Sequence, residues 1–378
     1  MRIVIRYYGV KVINKKWLWV GMLSCLMLLT ACGGKTGSTD VSSENDSIDT
    51  MNQVSDDEDT KDTEENVQVQ NQTDEPDNTQ KEGASMKLAQ TGMTKAVPED
   101  YKRSADKQGT VERLDYASLD YVRDSAAITK TAYVYLPYGY DESDTETKYD
   151  VVYLMHGWGG HAGEYFEYTF TKNVFDNMIS NGDIPPVIIV SATFYNENSD
   201  GDFGSSIEEF RSFHLDFEDN LMPTVESRYN TYAEDVTPEG LKESRDHRVF
   251  GGFSLGSVTT WLEFCYDYDY IRYFLPMSGS CWYYGTYGDF QIQKNVDFIE
   301  DLVKDNNLDE RGYFIYHVVG TKDAVKSQSI DMAQEMLSRD IFTPDHYVFY
   351  QKAGGYHDFD AVQEYLYNAL PMFFQMRD

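Results

Sequence analysis

Arg248-Val249-Phe250-Gly251-Gly252-Phe253-Ser254-Leu255-Gly256-Ser257-Val258 is the stretch on which the reading of this chain turns. Its first six residues make an apolar run of strand length, and Ser257 to Tyr266 has the composition of a helix. Between them, Gly252-x-Ser254-x-Gly256 fits the sharp strand-to-helix turn that pushes a serine hydroxyl out beyond the end of a sheet. Glycines two residues to either side remove the side chains that would block so tight a crossing. A serine held in this way is a candidate nucleophile. It needs a base, a carboxylate to orient that base and donors for an oxyanion, all supplied from elsewhere in the chain.

Outward from this turn, short apolar runs alternate with helical stretches. Thr131 to Pro137, Tyr149 to Met155, Val187 to Ser191, Tyr313 to Gly320 and His346 to Tyr350 read as strands. Phe210 to Tyr229 and Ala361 to Phe374 read as helices. This alternation predicts an α/β fold with a mostly parallel central sheet and helices on both faces. Active sites in such sheets lie beyond the carboxyl ends of the strands.

Three of the seven histidines follow Ser254. His317 falls inside an apolar strand and reads as a packed residue, and His346 starts a strand. His357 sits in Ala353-Gly354-Gly355-Tyr356-His357-Asp358, a flexible loop before the last helix, and is the expected base. Asp323 leaves the end of a strand in Val318-Val319-Gly320-Thr321-Lys322-Asp323 and is the expected orienting carboxylate. The oxyanion donors are expected from the N–H of Leu255, just after the serine, and of Trp158 in the loop Leu154-Met155-His156-Gly157-Trp158-Gly159-Gly160. His156 reads as a residue that braces this loop. Such chemistry needs no metal or organic cofactor.

The chain has 378 residues with 32 basic and 64 acidic side chains, a formal charge of −32. That field repels phosphate backbones, so a nucleic-acid partner is not expected and neutral substrates fit better. The four cysteines, Cys25, Cys32, Cys265 and Cys281, contain no C-x-x-C and no cluster with His at ligand spacing, which speaks against a structural metal site. Cys265 and Cys281 are able to pair in an oxidising compartment, and nothing in their spacing requires it.

Residues 1–32 read as an export signal: a basic start from Arg2 to Lys16, an apolar run from Trp17 to Leu29, then Leu29-Thr30-Ala31-Cys32. This resembles a bacterial lipoprotein signal, which implies lipidation at Cys32 and an anchor on the outer face of the cell membrane. Residues 33–98 are acidic and polar with few large apolar side chains, so they are expected to be a disordered tether. A coil of that length has an r.m.s. reach of about 45 Å. Residues 99–378 form the expected folded domain.

With these motifs in hand, Leu154 to Gly160, Gly252 to Gly256, Gly320 to Asp323 and Gly354 to Phe359 resemble those of the feruloyl esterases of carbohydrate esterase family one. That family belongs to an esterase D-like group of the α/β-hydrolase fold. The resemblance runs from about Gly109 to the C-terminus. It implies a Ser254–His357–Asp323 triad, oxyanion donors at Trp158 and Leu255, and feruloyl or acetyl esters on plant xylan as substrates. Residues 234–246 read as an insertion, and 278–290 as an aromatic loop bordering the site. In that loop Trp282 and Tyr283 are candidates to stack on a sugar or phenolic ring, and Tyr195 is a candidate in the loop of residues 195–202. Two other readings stay open. An acyltransferase of the same fold would use the same triad to acylate a sugar or cell-wall hydroxyl. A non-catalytic surface carbohydrate-binding protein would be expected to have lost Ser254, His357 or an elbow glycine, and all are present.

Overall fold

The structure, a computed structural model, describes residues 92–167 and 170–377. The export signal with Cys32, and the tether as far as residue 91, lie outside the described residues. Eight strands form one sheet: β1 Thr110–Leu119, β2 Ala127–Leu136, β3 Asp150–Met155, β4 Val187–Ala192, β5 Arg248–Phe253, β6 Tyr273–Met277, β7 Phe314–Gly320 and β8 Tyr347–Lys352. Their spatial order is β1-β2-β4-β3-β5-β6-β7-β8. The pairs β1–β2 and β2–β4 are antiparallel, and all others are parallel. This mostly parallel sheet is that of the α/β-hydrolase fold.

Six longer helices cover it: α1 Thr171–Asn181, α2 Phe203–Asp216, α3 Leu255–Asp267, α4 Ile292–Asp305, α5 Lys326–Leu337 and α6 Phe359–Arg377. One apolar layer unites the sheet with α1 and α6, through Val174, Phe175, Val362 and Leu366. The opposite layer packs α2 to α5 through Phe210, Phe213, Val258, Trp261, Ile299 and Met332. Every residue of β3, β4 and β5 is buried, because both sheet faces are covered.

Two readings of the sequence are corrected, and one strand lies where none was read. The edge strand β1 was not expected, because only its second half alternates: Leu114, Tyr116 and Ser118 point inward while Arg113, Asp115 and Ala117 face out. The helix expected from Phe210 starts at Phe203 and passes through a π turn, Phe217–Leu221, before a further helix, Met222–Arg228, with Pro223 in its first turn. The end of the expected tether is ordered. Met93 forms a parallel bridge to Gln351, with Thr94 N–H donating to Gln351 O and Gln351 N–H to Gly92 O, so the segment covers part of the β8 edge.

Buried charges fasten the frame. Asp216, at the end of α2, accepts from Lys130 Nζ at 2.8 Å, from the Tyr116 hydroxyl at 2.8 Å and from Ser118, which ties β1 and β2 to that helix. At the start of β5, Arg248 pairs with Glu226 and donates to Ser244 Oγ and to the carbonyls of Leu241 and Tyr270. The segment 234–246 thus closes over a satisfied guanidinium. Cys265 and Cys281 are buried free thiols.

One pair is not satisfied by a cation. Glu263 and Asp267 stand one turn apart on α3, fully buried, and their carboxyl oxygens have no hydrogen-bond partner at bonding geometry among the described residues. Burial, with Asp267, Asp216 and Glu218 adding to it, pushes Glu263 well above the usual carboxylate range. Burial likewise moves Asp267 up to about 7, with Glu218, Asp219 and Asp269 reinforcing the shift. A carboxyl whose pKa is higher in the folded than in the unfolded chain stabilises the fold fully below its unfolded value of about 4 and loses that contribution as pH rises through the folded value. The melting temperature is therefore expected to fall between pH 5.5 and pH 8.5, and to fall less in Asp267→Asn. Thermal denaturation across that range checks this; identical profiles for the two proteins would contradict it.

Candidate active site

Ser254 occupies the turn between β5 and α3 with φ 60° and ψ −116°, a backbone conformation that L residues rarely adopt. Its N–H donates to Met277 O at 3.0 Å, which pins the turn to the end of β6. The flanking glycines are required by contact. A Cβ on Gly252 would run into the backbone of Gly256, and one on Gly256 would run into the carbonyls of Met155 and His156. Strand, helix and the end of β3 therefore meet with no room for a side chain.

The loop after β3 lies against this turn: a Cβ on Gly157 would sit 3.0 Å from Ser254 Cβ. Trp158 follows in that loop, and Leu255 opens α3, where an N–H has no partner within the helix. Neither the Trp158 nor the Leu255 N–H donates to a backbone carbonyl among the described residues.

Asp323 and His357 come from loops after β7 and β8. His357 Nδ1 is 2.9 Å from Asp323 Oδ2 and 3.1 Å from Oδ1. Burial alone would raise the Asp323 carboxyl, but its bonds to His357 and the Val325 N–H outweigh burial and hold it below the ordinary value. It therefore stays ionised. The two loops are tied together, with Lys322 N–H donating to Gly355 O at 2.9 Å and Gly354 N–H to Thr321 Oγ1 at 2.8 Å. The His357 ring lies 4.4 Å from that of Phe253, the residue preceding Ser254. The structure thus brings the expected base and carboxylate into contact and seats the imidazole beside the elbow. His317, in contrast, is fully buried between the Tyr347 hydroxyl and Gly279 O, as a packed residue.

His156 braces the loop after β3. A carbonyl only accepts, so Nδ1–H donates to Gly157 O at 2.7 Å, which leaves Nε2 to accept from the Thr193 hydroxyl at 2.6 Å. Burial lowers its pKa to about 3, so the ring stays neutral and this tautomer holds across the working pH range. Tyr195 N–H donates to Thr193 Oγ1 at 3.1 Å, and the Tyr195 ring stacks on His156. The Tyr195 hydroxyl accepts from Gly159 N–H at 3.1 Å and contacts Ser206 Oγ at 3.1 Å. Tyr195 is therefore a positioning residue for the loop, a role no sequence signal carried, because it depends on β4 ending beside β3.

The aromatic loop after β6 does not present the rings the sequence singled out. Trp282 is 1% exposed, donates from Nε1 to Gln328 Oε1 at 3.0 Å and packs against Phe210 and Phe290. Tyr283 stacks on Phe298 of α4 at 4.0 Å and packs beside Tyr266. Both rings are taken up by packing because the loop folds back between α2 and α4, with Asn295 holding the backbone at Cys281, Tyr284 and Phe290.

A strained elbow serine, an Asp–His pair on adjoining strand ends and open backbone donors define the class: an α/β-hydrolase-fold protein with the layout of a serine hydrolase. The Esterase family, described as "Putative esterase", matches residues 128–373, and the chain belongs to it. A feruloyl esterase module from Clostridium thermocellum, solved in complex with sinapinate, is 30% identical with a TM-score of 0.65, covering 76% of this chain and 96% of that one. A second solved structure, of FAE, is 31% identical with a TM-score of 0.66 over the same shares. Endo-1,4-beta-xylanase Y of Acetivibrio thermocellus is 32% identical over 298 residues, 77% of this chain and 25% of that protein. The endo-1,4-beta-xylanase/feruloyl esterase of Xylanibacter ruminicola is 31% identical over 199 residues, 50% of this chain and 24% of that protein. The chain spans about a quarter of the length of these two xylanases.

Tyr195→Phe is expected to lower kcat about 3- to 10-fold with little change in KM, the effect of losing one net hydrogen bond of about 1 kcal/mol on the loop. Steady-state kinetics on a small chromogenic ester checks this; an unchanged kcat would remove Tyr195 from the positioning role.

Proposed function

We propose that this protein is a serine carboxylic-ester hydrolase that removes feruloyl or acetyl groups from xylan. The observation that carries the reading is the Asp323–His357 pair set beside a serine held at φ 60°. Its likeness to a feruloyl esterase module and to xylanases supports the substrate class.

In the proposed cycle Ser254 Oγ attacks the ester carbonyl carbon as its proton passes to His357 Nε2. The carbonyl oxygen becomes an oxyanion that accepts from the N–H groups of Trp158 and Leu255, donors worth roughly 3 kcal/mol each where measured. Collapse breaks the bond to the alcohol oxygen, which leaves with the proton from His357. Water then attacks the acyl-serine, gives its proton to His357 and releases the acid, and His357 returns the proton to Ser254. Asp323 holds the Nδ1–H tautomer and stabilises the imidazolium that forms in each half-reaction.

We also propose that the export signal is lipidated at Cys32 and that the acidic stretch after it holds the domain outside the membrane. The basic start, the apolar run and Leu29-Thr30-Ala31-Cys32 support this.

Ser254→Ala is expected to abolish hydrolysis of methyl ferulate, and Asp323→Asn to lower kcat by about 10⁴. Release of ferulate, followed by absorbance or chromatography, reads both; hydrolysis by Ser254→Ala at the wild-type rate would overturn the proposal.

A further inference from the structure

Three aromatic rings form a strip at the surface beside the elbow, distinct from the rings that the sequence singled out. Trp158 is 55% exposed, and Tyr287 is 59% exposed. Phe203, at the start of α2, lies between them, with ring centroids 5.5 Å from Trp158 and 5.8 Å from Tyr287, both in edge-to-face contact. These steps are comparable with the length of a sugar ring.

The strip is rigid although it is exposed. Trp158 Nε1 donates to Gly201 O at 3.1 Å, which fixes the indole. Tyr287 stands on a tight turn closed by Thr286 N–H to Asp289 O at 2.9 Å and Asp289 N–H to Thr286 O at 3.0 Å, with Gly288 at φ 86°. Arg211 donates to Gly285 O at 2.6 Å and anchors the base of that turn to α2. Large rings held still in water gain nothing for the fold from their open faces. Contiguous exposed apolar surface of this kind marks a contact site, and rigid aromatics bind at low entropic cost.

We propose that Trp158, Phe203 and Tyr287 form a subsite for the polysaccharide chain that carries the ester. This inference rests on the esterase reading and deepens it. The strip is continuous with the reacting centre, because the backbone N–H of Trp158 is a proposed oxyanion donor while its indole opens the strip. Sugar rings offer apolar C–H faces to aromatic rings and leave their hydroxyls in water, which suits an exposed strip better than a buried pocket would. The partner is neutral. A chain of formal charge −32 repels anionic polymers and anionic lipid, and Asp200 and Asp202 lie on either side of the Gly201 carbonyl that holds the indole.

The test compares full-length wild type, Tyr287→Ala and Tyr287→Phe on two substrates, methyl ferulate and feruloylated arabinoxylan. In Tyr287→Ala the ratio of kcat/KM on the polymer to that on methyl ferulate is expected to fall about tenfold, and Tyr287→Phe is expected to restore most of it. Affinity electrophoresis of Ser254→Ala through unesterified xylan is expected to show retardation that the added Tyr287→Ala change removes. An unchanged ratio, with wild type active on both substrates, overturns this inference and leaves the esterase reading standing. Wild type inactive on both overturns the two together. In a Cys32→Ala background, which removes the proposed lipid, loss of cosedimentation with phosphatidylcholine vesicles in Tyr287→Ala, at an unchanged substrate ratio, would make the strip a membrane contact instead.

Discussion

The reversed backbone at Ser254 is the constraint around which the molecule is organised. At φ 60° a serine side chain leaves the turn between β5 and α3 pointing away from the sheet, and nothing in the dipeptide itself favours that geometry. It persists because the surroundings permit no other. The Gly252–Gly256 crossing is too close for a Cβ, the carbonyls of Met155 and His156 close in from β3, and the Ser254 N–H is held by Met277 O. The strain is thus held in place by packing along three neighbouring strands. The same contacts bring the end of β3, and with it the loop that carries Trp158, against the serine.

Around that fixed point the work is divided by chemistry. The sheet interior is apolar and buried on both faces, so the strand ends are placed with little freedom. Asp323 and His357 sit on loops after β7 and β8, which are braced to one another by backbone bonds at Lys322, Gly354 and Gly355. Two histidines lie near the site in opposite electrostatic settings. His156 is sealed from water and kept neutral, which suits a brace whose tautomer must not change. His357 is partly exposed and faces an ionised carboxylate, which suits the proposed base.

Much of the fold was legible in the sequence because its central strands are buried on both faces and read as unbroken apolar runs. Arg248–Phe253 emerged with its bounds intact. The edge strand β1 did not, since its one buried face leaves no unbroken apolar run and its first residues, Thr110 to Glu112, do not alternate. Ser254, Asp323 and His357 stood out as candidates for a different reason. An elbow requires glycines at set positions, and the fold requires the other two partners later in the chain, after strands. What the sequence could not convey is which aromatic rings reach water. Trp282 and Trp158 are equally aromatic and both border turns, yet one is enclosed against α2 and α5 while the other stands at the surface. That difference is decided by how the loops fold back on the helices. Tyr195 illustrates the same limit, because its contact with Gly159 joins residues far apart in the chain and leaves no local pattern.

The central claim is that one hydroxyl, singled out by backbone geometry, becomes the attacking group. Labelling with a fluorophosphonate, followed by peptide mapping of the intact folded protein by mass spectrometry, tests it most directly. The account predicts a single stoichiometric phosphonyl adduct on Ser254, formed slowly or not at all when His357 is replaced by Ala. No adduct on the folded protein, or an adduct on any other side chain with Ser254 unmodified, would contradict it.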